Sequence, residues 1–453
     1  MMRGGGQVVL YGLWACFLPS DAVVVEMPAP TLSGIQAVQD IEYAWDQLLA
    51  VHPDPFRRTS RHRLRAAFDA LIEGLPDRLT PFQLYLGLAP ILARLEDSHT
   101  ALRPRELPLE AYLPISSDAG SLFLSVEIGE TPAGSRVLEI GGIPGRTWYE
   151  RARRLTSAET ETLSDALAGV LVPALVHNRW PEKSAVEMLM ETPSGKLSSL
   201  TIGDGPAPRL RRPIQAKRLP EQVVYVAVRT LTGDPIEVSH HLDDFFGSLN
   251  AWGTQGLIID LRENGGGNTS IAETLLNRIT RRPYRVFAAK RWRVSEEMKT
   301  FVGGQSTHQE TYLSAEPGTT VVTTPEVRPG KREGPSFDGP VVVLVGPKTL
   351  SAAMMMANAV RDYRLALLAG EPTGSPPNYF GEVYRTELPL SGLPLDISSA
   401  EFIRANGDGM DPEPVLPDLL VARSVGQPAR HDDETVRAAL RAIQTMRSVT
   451  GWP

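Results

Sequence analysis

Three apolar runs, VVYVAV (223–228), GLIIDL (256–261) and VVVLV (341–345), constrain the fold of this chain more than any other feature. Each run is continuous rather than alternating, so both faces of each strand must be covered. Helical spacing follows each run, at 236–251, 268–279 and 351–361. Buried parallel strands in βα units, an α/β core, are the expectation. Upstream, residues 34–95 carry helical spacing broken at His52-Pro53 and at Pro76. From about 106 to 203 the pattern changes to short alternating runs with a helical insert near 158–178. TIGDGPAPRLRRP, around 201–213, reads as a linker; 314–340 reads as a long surface loop or lid; 431–447 offers an amphipathic helix. The domain division expected is 1–30 leader, 31–105 helical, 106–205 β-rich, 206–423 core and 424–453 terminal helix and tail.

With 42% hydrophobic and 22% charged residues the composition argues for globular protein and against disorder or a coiled coil. The net charge of −7 gives no general field for phosphate backbones, so a nucleic-acid partner is not expected. The single cysteine, Cys16, excludes an internal disulfide framework and a thiolate metal cluster. It falls in VVLYGLWACFL (8–18), an apolar run too short to span a bilayer, with Arg3 before it and Ser20-Asp21-Ala22 after it. That is the layout of a signal peptide, and Leu13-Trp14-Ala15-Cys16 is similar to a lipoprotein box. Export to the periplasm, or lipid anchoring through Cys16, is the expectation. The alternative is a start codon set too early on an intracellular protein.

DLRENGGGN puts Asp260, Arg262 and Asn264 at the end of a strand, with Gly265, Gly266 and Gly267 before a helix. Backbone amides left bare by glycine at a helix start suit an anion or a developing oxyanion. A simple chain reversal would also use three glycines. In VVVLVGPKTLSAAMMMANAV a turn leads to Ser351 at the start of a helix. A serine there can be a nucleophile on rigid backbone or an ordinary N-cap. No lysine lies downstream of Lys348, which is in the preceding turn. Of eight histidines, His52 sits in a helix break, His62 in an arginine-rich stretch and His431 before the last helix. His99 stands in the polar cluster Asp97-Ser98-His99-Thr100, where it is a candidate base or a capping residue. Asp408, Asp411, Glu413 and Asp418 offer carboxylates in ANGDGMDPEPVLPD, and composition does not choose among them.

LEDSHTAL, GLIIDLRENGGGN, VLVGPKTLSAA, LLAGEPTG and the MDPEPVLPD tail occur in this order over roughly 35–420. Together they resemble the tail-specific, or carboxyl-terminal processing, family of serine peptidases. One branch of that family uses a Ser–Lys dyad, its lysine in the segment after the GE-T-G turn; Gly370–Gly374 is followed here by Ser375 without one. The sequence is similar instead to the tricorn-core-like branch, where the base is a histidine in a D-x-H-T segment. That implies Ser351 as nucleophile, His99 as base and Ser98 as a member of the catalytic group. It implies an acid seven residues before the last Asp of V-x-P-D, which is Asp411, with Glu413 as the fallback. Oxyanion donors implied are the amides of Ala352 and Gly266. Met354 stands where the family often has Glu.

The resemblance also implies a crotonase-like ββα peptidase core after a helical domain and a β-rich, PDZ-like module, in which Gly141 replaces a usual Asn. It implies a peptide or unfolded-protein substrate, no metal or organic cofactor, and leaves homo-oligomerisation open. Two rivals share the fold: a carrier of apolar ligands, with Ser351 and His99 as relics, and a crotonase-type acyl-CoA enzyme. The second also uses paired backbone amides, against a thioester oxyanion, and the His-Ser-Asp combination disfavours it.

Overall fold

The computed structural model describes residues 31–105, 113–180, 185–202, 213–302, 309–330 and 334–448. Cys16 and the rest of the leader segment lie outside the described residues, as does most of the 201–213 linker.

The three apolar runs form neighbouring parallel strands, Val223–Val228, Gly256–Asp260 and Val341–Val345. They belong to a six-stranded sheet that also takes Ile214–Leu219 at one edge and Leu367–Gly370 and Leu419–Leu420 at the other. Only the first pairing is antiparallel. Val224, Val226, Leu257, Ile259 and Val343 pack on one face, under helices Pro235–Ala251, Thr269–Asn277 and Ser351–Tyr363. Tyr225, Ile258, Val342 and Leu344 pack on the other, where Val436, Ala439 and Ile443 of helix Glu434–Ser448 cover them. Both faces being buried is the physical reason the runs lack alternation. The terminal helix is thus a layer of this core. Arg262 ties it down, bonding Asp260 at 2.7 Å and Asp433 at 2.7 Å from a site that is nearly solvent-free.

A second sheet carries Tyr379–Glu387, Pro394–Ile403, Ala289–Arg293 and Thr320–Thr323 in hydrogen-bonded order. Thr320–Thr323 lies inside the stretch expected to be a loop; its alternating TVVT puts only Val321 inward, too short a pattern to stand out in sequence. This sheet also captures the end of the helical region. Ala101–Leu102 pairs with Leu395 and Asp396, and the Ser398 amide donates to Thr100 Oγ1 at 3.0 Å. His99 therefore stands two residues before a strand paired with Pro394–Ile403, whose Phe402 pairs with Tyr379, although 252 positions separate His99 from Ser351.

The helical region holds Gly34–Val51, Arg61–Glu73 and Pro81–Leu92, each started by a capping hydroxyl, Ser33, Ser60 and Thr80. The β-rich region forms a third sheet, Ile115–Asp118, Ser121–Leu124, Arg136–Ile140, Val186–Glu191 and Leu197–Ile202. Helix Glu161–Arg179 packs on it, and Leu163 of its first turn also meets Leu350 of the core. That contact brings the residues just before the helix, including Glu159, up to the Ser351 turn.

Candidate active site

Ser351 opens its helix with φ +50°, left-handed backbone that a residue with a Cβ rarely adopts, at a cost of about 1–3 kcal/mol. It is not the N-cap; Leu350 holds that position and no side chain caps the helix. The serine hydroxyl is spared for another role. The turn is held by Thr349, which donates to the Leu261 carbonyl at 2.8 Å, and by the Leu350 amide, which donates to the Asn264 carbonyl at 3.0 Å. Strand end, glycine loop and serine are thereby one rigid unit. In the first helical turn the Ala352 amide donates to no group among the described residues, as expected of a helix N-terminus. Gly266 lies against the serine, with φ +100°; a Cβ there would stand 2.6 Å from Ser351 Cβ and 3.1 Å from Ala352 N. Only glycine fits.

On the facing side, Asp97 is buried and spends both oxygens. It accepts from the His99 amide at 2.9 Å, from Thr100 Oγ1 at 2.5 Å and faces His52 Nε2 at 3.1 Å. Burial opposes its ionisation, but the His52 hydrogen bond and charge, with His99, hold its carboxyl below the usual range. Ser157 clasps the Asp97 backbone at both amide and carbonyl. Ser98 then donates from Oγ to Glu159 Oε1 at 2.9 Å, and its amide donates to the same oxygen at 3.1 Å. Ser98 Oγ lies 3.3 Å from His99 Nδ1. Because the Ser98 proton points to Glu159, the bond to the ring is made by an Nδ1–H, which leaves Nε2 with its lone pair. Burial lowers the His99 pKa, keeping the ring neutral and able to accept a proton. Glu159 is pushed up to about 7, by burial first and then by the charge of Asp97. Its second oxygen is buried without a partner.

Tyr379 completes the group. It is almost fully buried, and its ring centre lies 5.3 Å from that of His99. The arrangement is a carboxylate, a hydroxyl relay, a neutral imidazole and a strained serine beside a bare amide, which is the equipment for acyl transfer. One oxygen or nitrogen from each of Asp97, His99 and Glu159 also falls within 4.8 Å of the others, a spacing a cation could use. Asp97 has already committed both its oxygens to protein donors, so a cation would have to break those bonds.

The sequence pattern of peptidase family S41 matches residues 222–421, the stretch that contains the glycine loop, Ser351 and Tyr379. The chain carries a peptidase family S41 domain. That makes it a serine peptidase. The fold is similar to that of mature CPAF complexed with lactacystin, at 15% identity and TM-score 0.58, over 91% of this chain and 98% of that one. Mature CPAF alone gives 16% identity and TM-score 0.58, over 91% and 96%.

Within this S41 peptidase, the residues expected from sequence divide into two groups. Ser98 and His99 cluster with Asp97 and Glu159, and Ser351 and Ala352 cluster with Gly266; among the described residues no hydrogen bond joins His99 to Ser351. Asp411 does not join them: its carboxylate pairs with Arg404 and accepts the Glu413 amide at 3.0 Å. The nearby Arg404 guanidinium, itself held by Asp362 at 2.7 Å, is the stronger attraction for that carboxylate. Glu413 is exposed. Gly266 departs from expectation in one respect, since its amide donates to Asn264 Oδ1 at 2.8 Å and is already committed. Lys348 faces Glu263 at 3.6 Å. Sequence reasoning missed Glu159, His52 and Tyr379. Glu159 is one acid in TSAETE, and nothing in its spacing points 61 residues back to Ser98. His52 reads in sequence as a helix break, yet as the C-cap of Gly34–Val51 it is almost fully buried against Asp97.

Proposed function

We propose that the chain hydrolyses peptide bonds through an acyl-enzyme on Ser351, with His99 as general base and Ser98 and Glu159 as the relay that holds and charges it. The observation that carries this reading is the Glu159–Ser98–His99 chain of hydrogen bonds, which fixes the tautomer with a free Nε2. His99 takes the Ser351 proton as Oγ attacks the scissile carbonyl, then gives it to the leaving amine. Water repeats the cycle to release the acyl group. The Ala352 amide faces the developing negative charge, and the dipole of helix Ser351–Tyr363 adds to it. Glu159, rather than Asp411, supplies the negative charge that stabilises the imidazolium.

In this reading the six-stranded sheet and its helices are a crotonase-like core and the third sheet a PDZ-like module. The substrate is a peptide or unfolded protein. An acyl-CoA role would use the amides but leave the relay without a task. The test is a fluorophosphonate probe with mapping of the labelled peptide. Labelling at Ser351, lost in both Ser351→Ala and His99→Ala, is expected; labelling that survives in either variant, or falls elsewhere, overturns the assignment.

A further inference from the structure

Asp97 is 1% exposed and lies beside the base, so the hydrogen bonds around its carboxyl decide which form it takes. Its Oδ1 accepts the His99 amide at 2.9 Å, while its Oδ2 accepts Thr100 Oγ1 at 2.5 Å and faces His52 Nε2 at 3.1 Å. All three partners are turned to donate. A backbone N–H has no lone pair to offer. Thr100 Oγ1 already receives the Ser398 amide at 3.0 Å, which leaves its own proton for Asp97. His52 Nδ1 receives the Asp54 amide at 3.1 Å, and that puts a ring proton on Nε2, pointing at Asp97. A proton added to either Asp97 oxygen would meet a donor instead of an acceptor. The group is built to remain a carboxylate.

We propose that His52 is a positioning residue of the peptidase site: its Nε2–H holds Asp97 as a fixed carboxylate, and Asp97 in turn aims His99 and faces the charge that forms on its ring. The proposal deepens the peptidase reading above and rests on it. As Ser351 Oγ bonds to the scissile carbon, its proton passes to His99 Nε2 and the imidazole becomes a cation. A carboxylate oxygen of Asp97 and a ring nitrogen of His99 lie within 4.8 Å, the same range as for Glu159. The two acids differ in readiness. Glu159 is pushed up to about 7, by burial first and then by the charge of Asp97 itself, whereas Asp97 stays below the usual carboxylate range. Asp97 is the standing charge beside the base, and Glu159 is the one that titrates near neutrality.

His52 is itself rigidly placed. As the C-cap of helix Gly34–Val51 it donates from its amide to the Leu48 carbonyl at 3.1 Å, and the following Pro53 keeps its backbone extended at φ −68°, ψ 131°. Its ring stands edge-on to Phe380 at 4.6 Å, and the Arg57 guanidinium lies over the Phe380 ring at 4.4 Å. Phe380 follows Tyr379 on strand Tyr379–Glu387. One imidazole thereby ties the end of the first helix, the strand that carries Tyr379 and the loop that carries His99. That is the support a base needs to keep its aim.

The test sets His52→Asn against His52→Gln. The Asn side chain reaches only as far as Nδ1 and falls short of Asp97; the Gln amide reaches the place of Nε2 and restores the donor. Turnover of a fluorogenic peptide is taken per site that a fluorophosphonate labels to completion, so lost folded protein does not count as lost rate. His52→Asn should lower kcat about 10- to 100-fold, the worth of one hydrogen bond to a charged group, with KM changed less than threefold. His52→Gln should return to within about fivefold of wild type. If the Asn variant yields no labelled site, His52→Phe, which keeps a ring against Phe380 and lacks both nitrogens, is held to the same limits as Asn. A kcat within threefold of wild type in the variant without the donor overturns the proposal, as does a Gln variant equally slow, or a loss confined to KM. Those results leave the peptidase reading standing if Ser351→Ala is dead. A wild-type enzyme inert to both peptide and probe overturns both.

Discussion

Glu159→Gln is the perturbation that separates the relay proposed here from one built on the acidic loop at 408–418. Gln keeps a hydrogen-bond acceptor for Ser98 and removes the charge. A carboxylate oxygen of Glu159 and a ring nitrogen of His99 lie within 4.8 Å. At an effective dielectric of about 20, a unit charge at that range stabilises the imidazolium by about 3.5 kcal/mol, or about 300-fold in rate. Only ionised Glu159 supplies it, and with a pKa pushed up to about 7 the group is ionised in about half the molecules at neutral pH. The ratio of wild-type to variant kcat should therefore be small near pH 5.5, pass through half its limit near pH 7 and reach its limit above pH 8. Stability should move the opposite way. The folded pKa lies above the ordinary 4.5, so ionisation of Glu159 opposes folding. That cost grows as pH rises from about 4.5 to about 7 and is complete above it. Gln carries none of it, so above pH 7 the variant should melt higher than wild type while hydrolysing far more slowly. The assay is kcat on a fluorogenic peptide from pH 5 to 9, with thermal melts over the same range. A rate ratio near one at every pH, or one that ignores pH, refutes the relay.

Asp411→Asn should leave kcat/KM within about threefold of wild type and lower stability by no more than about 1 kcal/mol, because its carboxylate serves an ion pair with Arg404 at a partly exposed site. A loss beyond 100-fold would return the acid's role to the loop. Gly266→Ala should abolish most hydrolysis, by at least about 100-fold, since its Cβ would press on Ser351 Cβ at 2.6 Å from backbone at φ +100°. Unchanged turnover in that variant would mean the serine turn can shift without consequence.

How much of this was legible in the sequence depends on the range of the interaction. Helices expected at 236–251, 268–279 and 351–361 form at Pro235–Ala251, Thr269–Asn277 and Ser351–Tyr363, because local periodicity and the flanking strands determine them. Ser351 and His99 stand out as candidates because each sits in a short, ordered cluster. Glu159 does not, since its role arises when Leu163 docks on Leu350 and carries the residues before the helix to Ser98. The Asp411 expectation rested on counting back from Asp418, a spacing that fixes position in a loop but not which cation that loop meets. His52 shows a similar limit: a histidine before proline reads as a break, and only the packed fold sets it on Asp97. Tyr379 carries no sequence signal of its own, and only its pairing with Phe402 sets its ring beside His99.

The most direct measurement is a crystal structure of the wild-type enzyme with a peptide boronate. The account predicts a covalent bond from boron to Ser351 Oγ, His99 Nε2 within about 3.2 Å of a boronate or serine oxygen, and a second boronate oxygen facing the Ala352 amide. Boron bound to another residue, or bound to Ser351 with the imidazole turned away and Glu159 parted from Ser98, would contradict it.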